Sequence, residues 1–362
     1  MRNLTRTPGL RLLMHLAVVI GFWFVMMYVN ERVDPLMNYY IALAAMYATA
    51  MFGMVILVGL SGQVSLGNGA LMAIGGYVFA LTSMNWTTVP ILGWEWNPIW
   101  AMVFAGLGGV VIGLIVGVIG ARLRGPYLAG LTLGLAVGIP AIANKFPELL
   151  GGETGLIIDV PYPPEGLGLE FPLERWLAWI AVAAACIVGF IALNLVRGRQ
   201  GRVWRAVRDD PVAAAISGIS PSEAKISAFV VSSLFAALAG AVLAQILSYV
   251  GPGAFGLALS LSLLVGVVLG GRASLGGALI GAVLLVALPE FVLNISSERE
   301  WSEEITNNAP NLIYGLLVVL VVLIAPGGLM GTLGSGTRWI GRRGRAINGS
   351  RRDPTNNRVP LA

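Results

Sequence analysis

Hydrophobic positions in this chain come in long unbroken runs, and polar residues are confined to short interruptions between them. The runs fall at about 12–29, 38–59, 69–84, 98–120, 126–143, 176–196, 225–249, 257–270, 275–293 and 311–330. Runs of this length and continuity predict helices that cross a bilayer, not the alternating strands of an outer-membrane barrel. The expected fold is therefore all-α and polytopic, with about ten transmembrane or re-entrant helices. The runs at 69–84 and 257–270 fall short of the ~20 residues of a simple span and are expected to be tilted, broken or re-entrant.

The longest basic interruption, Arg197–Lys225, carries six basic residues against three acidic ones. It also carries its own helix punctuation. Asp210 is placed to cap a helix that begins at Pro211, where a missing N–H costs nothing. That helix runs to Ser217 and stops at Gly218, which suits a left-handed C-terminal position. Ser220-Pro221-Ser222-Glu223 then reads as a capping box for the next long helix. The pattern places one short helix alone on a membrane face, and a helix so short needs something to hold it.

Charge sorts the connections. Arginines lie in the N-terminal arm, after the fourth span (Arg122, Arg124), in Arg197–Lys225, after the eighth span (Arg272) and in the tail from Arg338 to Arg358. Ten spans put all of these on one side, with Glu95, the acidic loop at 144–175 and Glu298–Glu304 on the other. The excess of Lys and Arg predicts that the first side is cytoplasmic and that both termini are inside. The N-terminal run is read as a retained first span, because no small-residue cleavage pattern follows it. Residues 1–337 are expected to form the membrane domain, and the basic segment 338–362 a disordered cytoplasmic tail that can touch anionic lipid. The Pro- and Gly-rich outer loop is long enough for a lid or docking surface, or is a structured connection without a ligand.

Composition narrows the chemistry. The 362 residues are 57% hydrophobic and 11% charged, and the net charge of +5 is concentrated in the arginine-bearing segments, so it gives no case for nucleic acid. The single cysteine, Cys186, excludes an internal disulfide. No catalytic, cofactor or metal constellation is read. His15 is the one histidine, and Asp209-Asp210 has no second acidic cluster on its face. Neither lysine, Lys145 or Lys225, follows a glycine-rich turn, so the chain lacks a phosphate-binding loop for ATP. Within the spans only His15 and Glu290 are ionisable, which gives little basis for ion coupling. Energy is expected from another polypeptide.

The most unusual membrane-depth stretch is Gly59–Tyr77, GLSGQVSLGNGALMAIGGY. Ser61, Gln63, Ser65 and Asn68 stand among six glycines. Two readings follow: an unwound segment lining a wet path, or a glycine seam for helix packing. A second such stretch, Gly270–Gly277, repeats its Ser-Leu-Gly. Tyr127 and Thr132 on the fifth span complete the candidates for a solute path.

These stretches, with Arg122–Ala129, Gly151–Leu156, Gly201–Gly218 and Leu269–Gly281, resemble the LivM-type permeases in the same order along the chain, over residues 36 to 331. LivM-type permeases are membrane subunits of bacterial importers for branched-chain amino acids, and urea-importing permeases are close relatives. The resemblance implies an inner-membrane heterodimer with a LivH-like permease, two cytoplasmic ATPases that carry the ATP and Mg, and a periplasmic solute-binding protein. It implies no cofactor on this chain itself. It makes Pro211–Ser217 the helix that receives the ATPase. Such helices carry EAA-x-x-x-G; here Ala213, Ala214 and Gly218 keep the pattern, but Val212 takes the acidic position. Arg205, Arg208, Asp209 and Asp210 are then the candidates for polar contact with the ATPase. A urea or short-chain amide importer, a sugar-type permease and a stand-alone secondary transporter or facilitator are the alternatives.

Overall fold

The computed structural model describes residues 8–85, 98–123, 127–159 and 171–298, with isolated positions at 163, 167 and beyond 311. The tail at 338–362 and most of the expected span at 311–330 lie outside the described residues. Twelve α-helices are seen among the described residues: α1 Pro8–Asn30, α2 Pro35–Met54, α3 Asn68–Asn85, α4 Pro98–Arg122, α5 Tyr127–Lys145, α6 Pro147–Leu150, α7 Leu173–Arg197, α8 Arg199–Asp209, α9 Pro211–Ile216, α10 Pro221–Leu247, α11 Leu257–Gly270 and α12 Leu275–Glu298. Among the described residues, eight helical segments are long and apolar enough to cross a membrane. The helix α3 is not among them; it is buried along most of its length and follows an unwound stretch. The segment expected at 257–270 gains a 3₁₀ turn at Pro252–Phe255 and reaches spanning length as Pro252–Gly270.

The helix α10 is the centre of the packing, against α4, α3 and α2. In lipid, apolar surface does not drive helices together, so close backbone approach between small residues must do so. The sequence of α4 supplies this. Gly106, Gly109, Gly113, Gly117 and Gly120 recur every three or four residues and form one stripe. Ser233, Ala237 and Phe229 of α10 lie in that stripe. Gly53 of α2 meets Ser232 in the same way, and a Cβ there would lie 2.9 Å from its carbonyl oxygen. Around this centre α7 packs on α2, α1 on α7, and α11 with α12 on α2.

His15 and Glu290, the ionisable residues expected inside spans, each face a polar side chain of another helix. His15 of α1 is buried, and its Nε2 accepts from Arg197 at 2.9 Å. An arginine can only donate, so Nδ1 carries the proton and donates to Asn194 Oδ1 at 2.9 Å. His15 therefore joins α1 to α7. Glu290 of α12 stands beside the Tyr40 hydroxyl of α2. The described part of the loop at 144–175 is tied to the body: β1 Leu156–Ile157 pairs antiparallel with β2 Tyr249–Val250. Ile158 N–H also donates to the Ser248 carbonyl at 3.0 Å.

Candidate functional site

The basic segment is not one isolated short helix. An eleven-residue helix, α8, precedes α9, which corrects the expectation of a helix standing alone. Its signal was present in the sequence. Arg199, Arg202, Arg205 and Arg208 recur every third position, and Gly201, Trp204 and Val207 do so on the opposite, buried face. Trp204 is fully enclosed, and its Nε1 donates to Ser227 Oγ of α10 at 3.1 Å. Gln200 Nε2 donates to the same hydroxyl at 3.1 Å. So α8 is bolted to the base of α10 and presents α9.

The caps of α9 form as the residues dictate. Asp210 Oδ1 accepts from Val212 N at 2.8 Å and Ala213 N at 3.0 Å, with Pro211 at the first turn. At the other end Gly218 has φ +79°. Ile219 N donates to Ala214 O and Gly218 N to Ala215 O, each at 3.0 Å, which closes a Schellman motif. Ser220 caps α10 through Glu223 N at 3.4 Å. Ala214 is buried against the body, whereas Ala213 is exposed. Val212 and Ile216 are 67% and 84% exposed. The side of α9 open to a partner is thus apolar.

The polar candidates of this segment divide. Arg205 turns back to the Val196 carbonyl at 3.3 Å and closes the α7–α8 corner. Arg208 Nε and Nη2 both bond Asp209 Oδ1, at 2.9 and 2.7 Å. Its Nη1 reaches inward to the Gly59 carbonyl at 2.6 Å. Asp209 holds Arg208, and Asp210 is occupied as a cap.

Gly59 belongs to the second candidate stretch. The end of α2 widens into a π-helical turn, Val55–Leu60, and the chain then runs without helix to Gly67. Single π turns are rare and concentrate at functional sites. The unwound residues are held by side chains. Gln63 Nε2 donates to Ser61 Oγ at 2.7 Å and to the Lys225 carbonyl at 3.1 Å. Thr132 Oγ1 accepts from Leu66 N at 2.9 Å, and Ser260 Oγ from Gly69 N at 2.8 Å. Ser65 Oγ takes a longer bond, 3.4 Å, from Gly67 N.

The two candidate stretches, far apart in sequence, meet across a cleft of about 550 Å³. Ser61, Gly62, Gln63 and Val64 form one wall, Val207, Arg208 and Pro211 another, and Leu128, Ala129 and Lys225 lie between. Of the expected path residues, Ser61 and Gln63 border this cleft. Ser65, Asn68 and Thr132 do not; they are fully buried behind it. Asn68 has neither side-chain polar atom paired. Tyr127 is 71% exposed and does not join the group. The first residue of α5 points away, while Leu128 turns inward against Gly120.

Spans packed on glycine stripes, with an unwound polar stretch joined to a helix presented outside them, define an α-helical membrane permease. The family model described as branched-chain amino acid transport system / permease component matches residues 36–325, and the chain belongs to that family. It is 32% identical to the high-affinity branched-chain amino acid transport system permease protein LivM of Escherichia coli (strain K12), over 80% of this chain and 68% of that protein. Identity to LivM of Salmonella typhimurium is 31%, over 78% and 67%. The LivH permease of E. coli K12 matches at 25% identity over 46% of this chain and 50% of its own length. No solved structure matches.

Proposed function

We propose that this chain is one of two permease subunits of an ATP-driven importer of branched-chain or other neutral amino acids. The second would be a LivH-like permease, and the similarity of this chain to both LivM and LivH supports such a pairing. ATP and Mg sit on a pair of cytoplasmic ATPases, and a periplasmic protein delivers the solute. The assembly lies in the inner membrane, with the arginine-rich face in the cytoplasm by the excess of Lys and Arg there.

The observation that carries this reading is α9. It is capped at both ends, seated on a fixed helix and open on an apolar edge formed by Val212 and Ile216. An exposed apolar edge beside a charged segment fits a partner that covers it. ATP-driven closure of the ATPases displaces α9, and the spans switch access. A ligand moves such an equilibrium only through contacts that differ between its states, and α9 is where those contacts are made. Ser61 and Gln63 meet the solute at the cleft, with Thr132 and Ser65 holding the unwound wall behind them.

The test is reconstitution. Proteoliposomes with both permeases, the ATPases and the binding protein should accumulate labelled leucine against a gradient only with ATP. This chain alone should accumulate none. Labelled urea is the second arm: preferred urea uptake would overturn the amino-acid assignment, and uphill uptake by the single chain would overturn the importer reading.

A further inference from the structure

Three segments distant in sequence converge on one residue, Gly59. Gly59 lies in the π turn, and Arg208 Nη1 donates to its oxygen at 2.6 Å. The Arg272 carbonyl, from the turn between α11 and α12, fills the space a Cβ on Gly59 would need. Gly62 follows with φ +72°, and a Cβ there would lie 2.7 Å from Arg208 Cγ. The stem of Arg208 therefore lies along the unwound backbone while its head holds the π turn.

The head is not free to swing. Two of its nitrogens are fastened to Asp209 Oδ1. The next residue, Asp210, caps α9. Three successive residues thus grip the unwound stretch, lock that grip and anchor the exposed helix. A helix ending at Leu60 leaves terminal carbonyls without intrahelical donors. A guanidinium, with five N–H groups and a planar head, can serve one of them while keeping its carboxylate. A lysine ammonium on its flexible stem cannot reproduce both contacts in one geometry.

We infer that Arg208 is a positioning residue that carries movement of α9 into the π turn and residues 61–67, and that it does not contact the ATPase. This rests on the importer reading above, so the test has one arm that depends on that reading and one that does not.

In the first arm, the full reconstituted complex is assayed for ATP hydrolysed per solute imported. Arg208→Gln should raise this ratio about tenfold, as loss of a charge-assisted bond implies. Arg208→Lys and Asp209→Asn should raise it less, by about threefold. A ratio unmoved in all three variants overturns the inference. So does a parallel fall of hydrolysis and uptake, which is what a lost ATPase contact gives. If Arg208→Gln does not assemble, the other two variants decide.

In the second arm, hydrogen exchange is measured on residues 61–67 of this chain in nanodiscs. Exchange should quicken about tenfold in Arg208→Gln, and unchanged exchange overturns the link. A wild-type complex without ATP-driven uptake sinks the importer reading, while the exchange arm still decides whether Arg208 holds the stretch.

Discussion

Replacing Ile216 with Ala should weaken docking of the ATPase subunit about thirty-fold while leaving this chain's own fold intact. Ile216 is 84% exposed and Val212, one helical turn earlier, 67%, whereas Ala214 between them is 5% exposed. The first two are available to a partner, and the third already serves the body. Ile→Ala removes three side-chain carbons, worth ~0.8 kcal/mol each when buried. Scaled by the exposure, the loss on docking is about 2 kcal/mol, or about thirty-fold in Kd. Val212→Ala, with two carbons and less exposure, should cost about 1 kcal/mol, or about sixfold. Alanine forms helix better than either residue, so α9 itself is not weakened. The assay is titration of the ATPase subunit onto the permease pair in nanodiscs, with thermal unfolding of the pair as the control. If the double variant keeps its Kd within about twofold, against a product near two-hundred-fold, the apolar edge of α9 is not the docking face.

Other perturbations probe the supports of the site. Gly240→Val places a Cβ on the Met72 carbonyl at the α3–α10 contact. It should destabilise the purified chain by about 1–3 kcal/mol, read as a lower melting temperature; an unchanged value would refute the packing. Asp210→Ala removes the acceptor for Val212 and Ala213 N–H. The loss of about 1 kcal/mol should fray α9 and speed proteolysis at 211–218, and Asp210→Asn should restore most of the resistance. Gln63→Ala breaks the bridge from Ser61 to the Lys225 carbonyl beside the cleft. Uptake should change about threefold or more in rate or KM, and unchanged kinetics would make Gln63 a packing bridge only.

The parts of this molecule that were legible in its sequence share a short range. A cap is an interaction over two or three residues, so Asp210, Pro211 and Gly218 announce α9 and its limits unaided. An amphipathic repeat is equally local. The threefold spacing of Arg199 to Arg208, with Trp204 between, marks α8, although the dominant polar character of the segment obscured it. The glycine stripe of α4 could be seen as a packing face, but not which helix it would meet. Arg208 illustrates the other kind of residue. By composition it belongs with the exposed cations of its segment, and only its neighbours in space show that it reaches inward. Tyr127 errs the other way, since its motif is shared with Leu128 and only the rotation of α5 decides which of the two faces in.

By itself the sequence determined that the chain lives in lipid, where the described spans run, which short helix stands outside them and how that helix is capped. Those follow from continuous hydrophobicity and from hydrogen bonds between near neighbours. Tertiary structure alone decided that the unwound stretch at Gly59–Gly67 and the base of α9 are one site, with Arg208 bonded to Gly59 across 149 residues. That meeting depends on the glycine and serine contacts that set the spacing and rotation of α2, α4 and α10 together. No local pattern encodes a sum of packing contacts between helices, and it is that sum which brings the two stretches within hydrogen-bond reach.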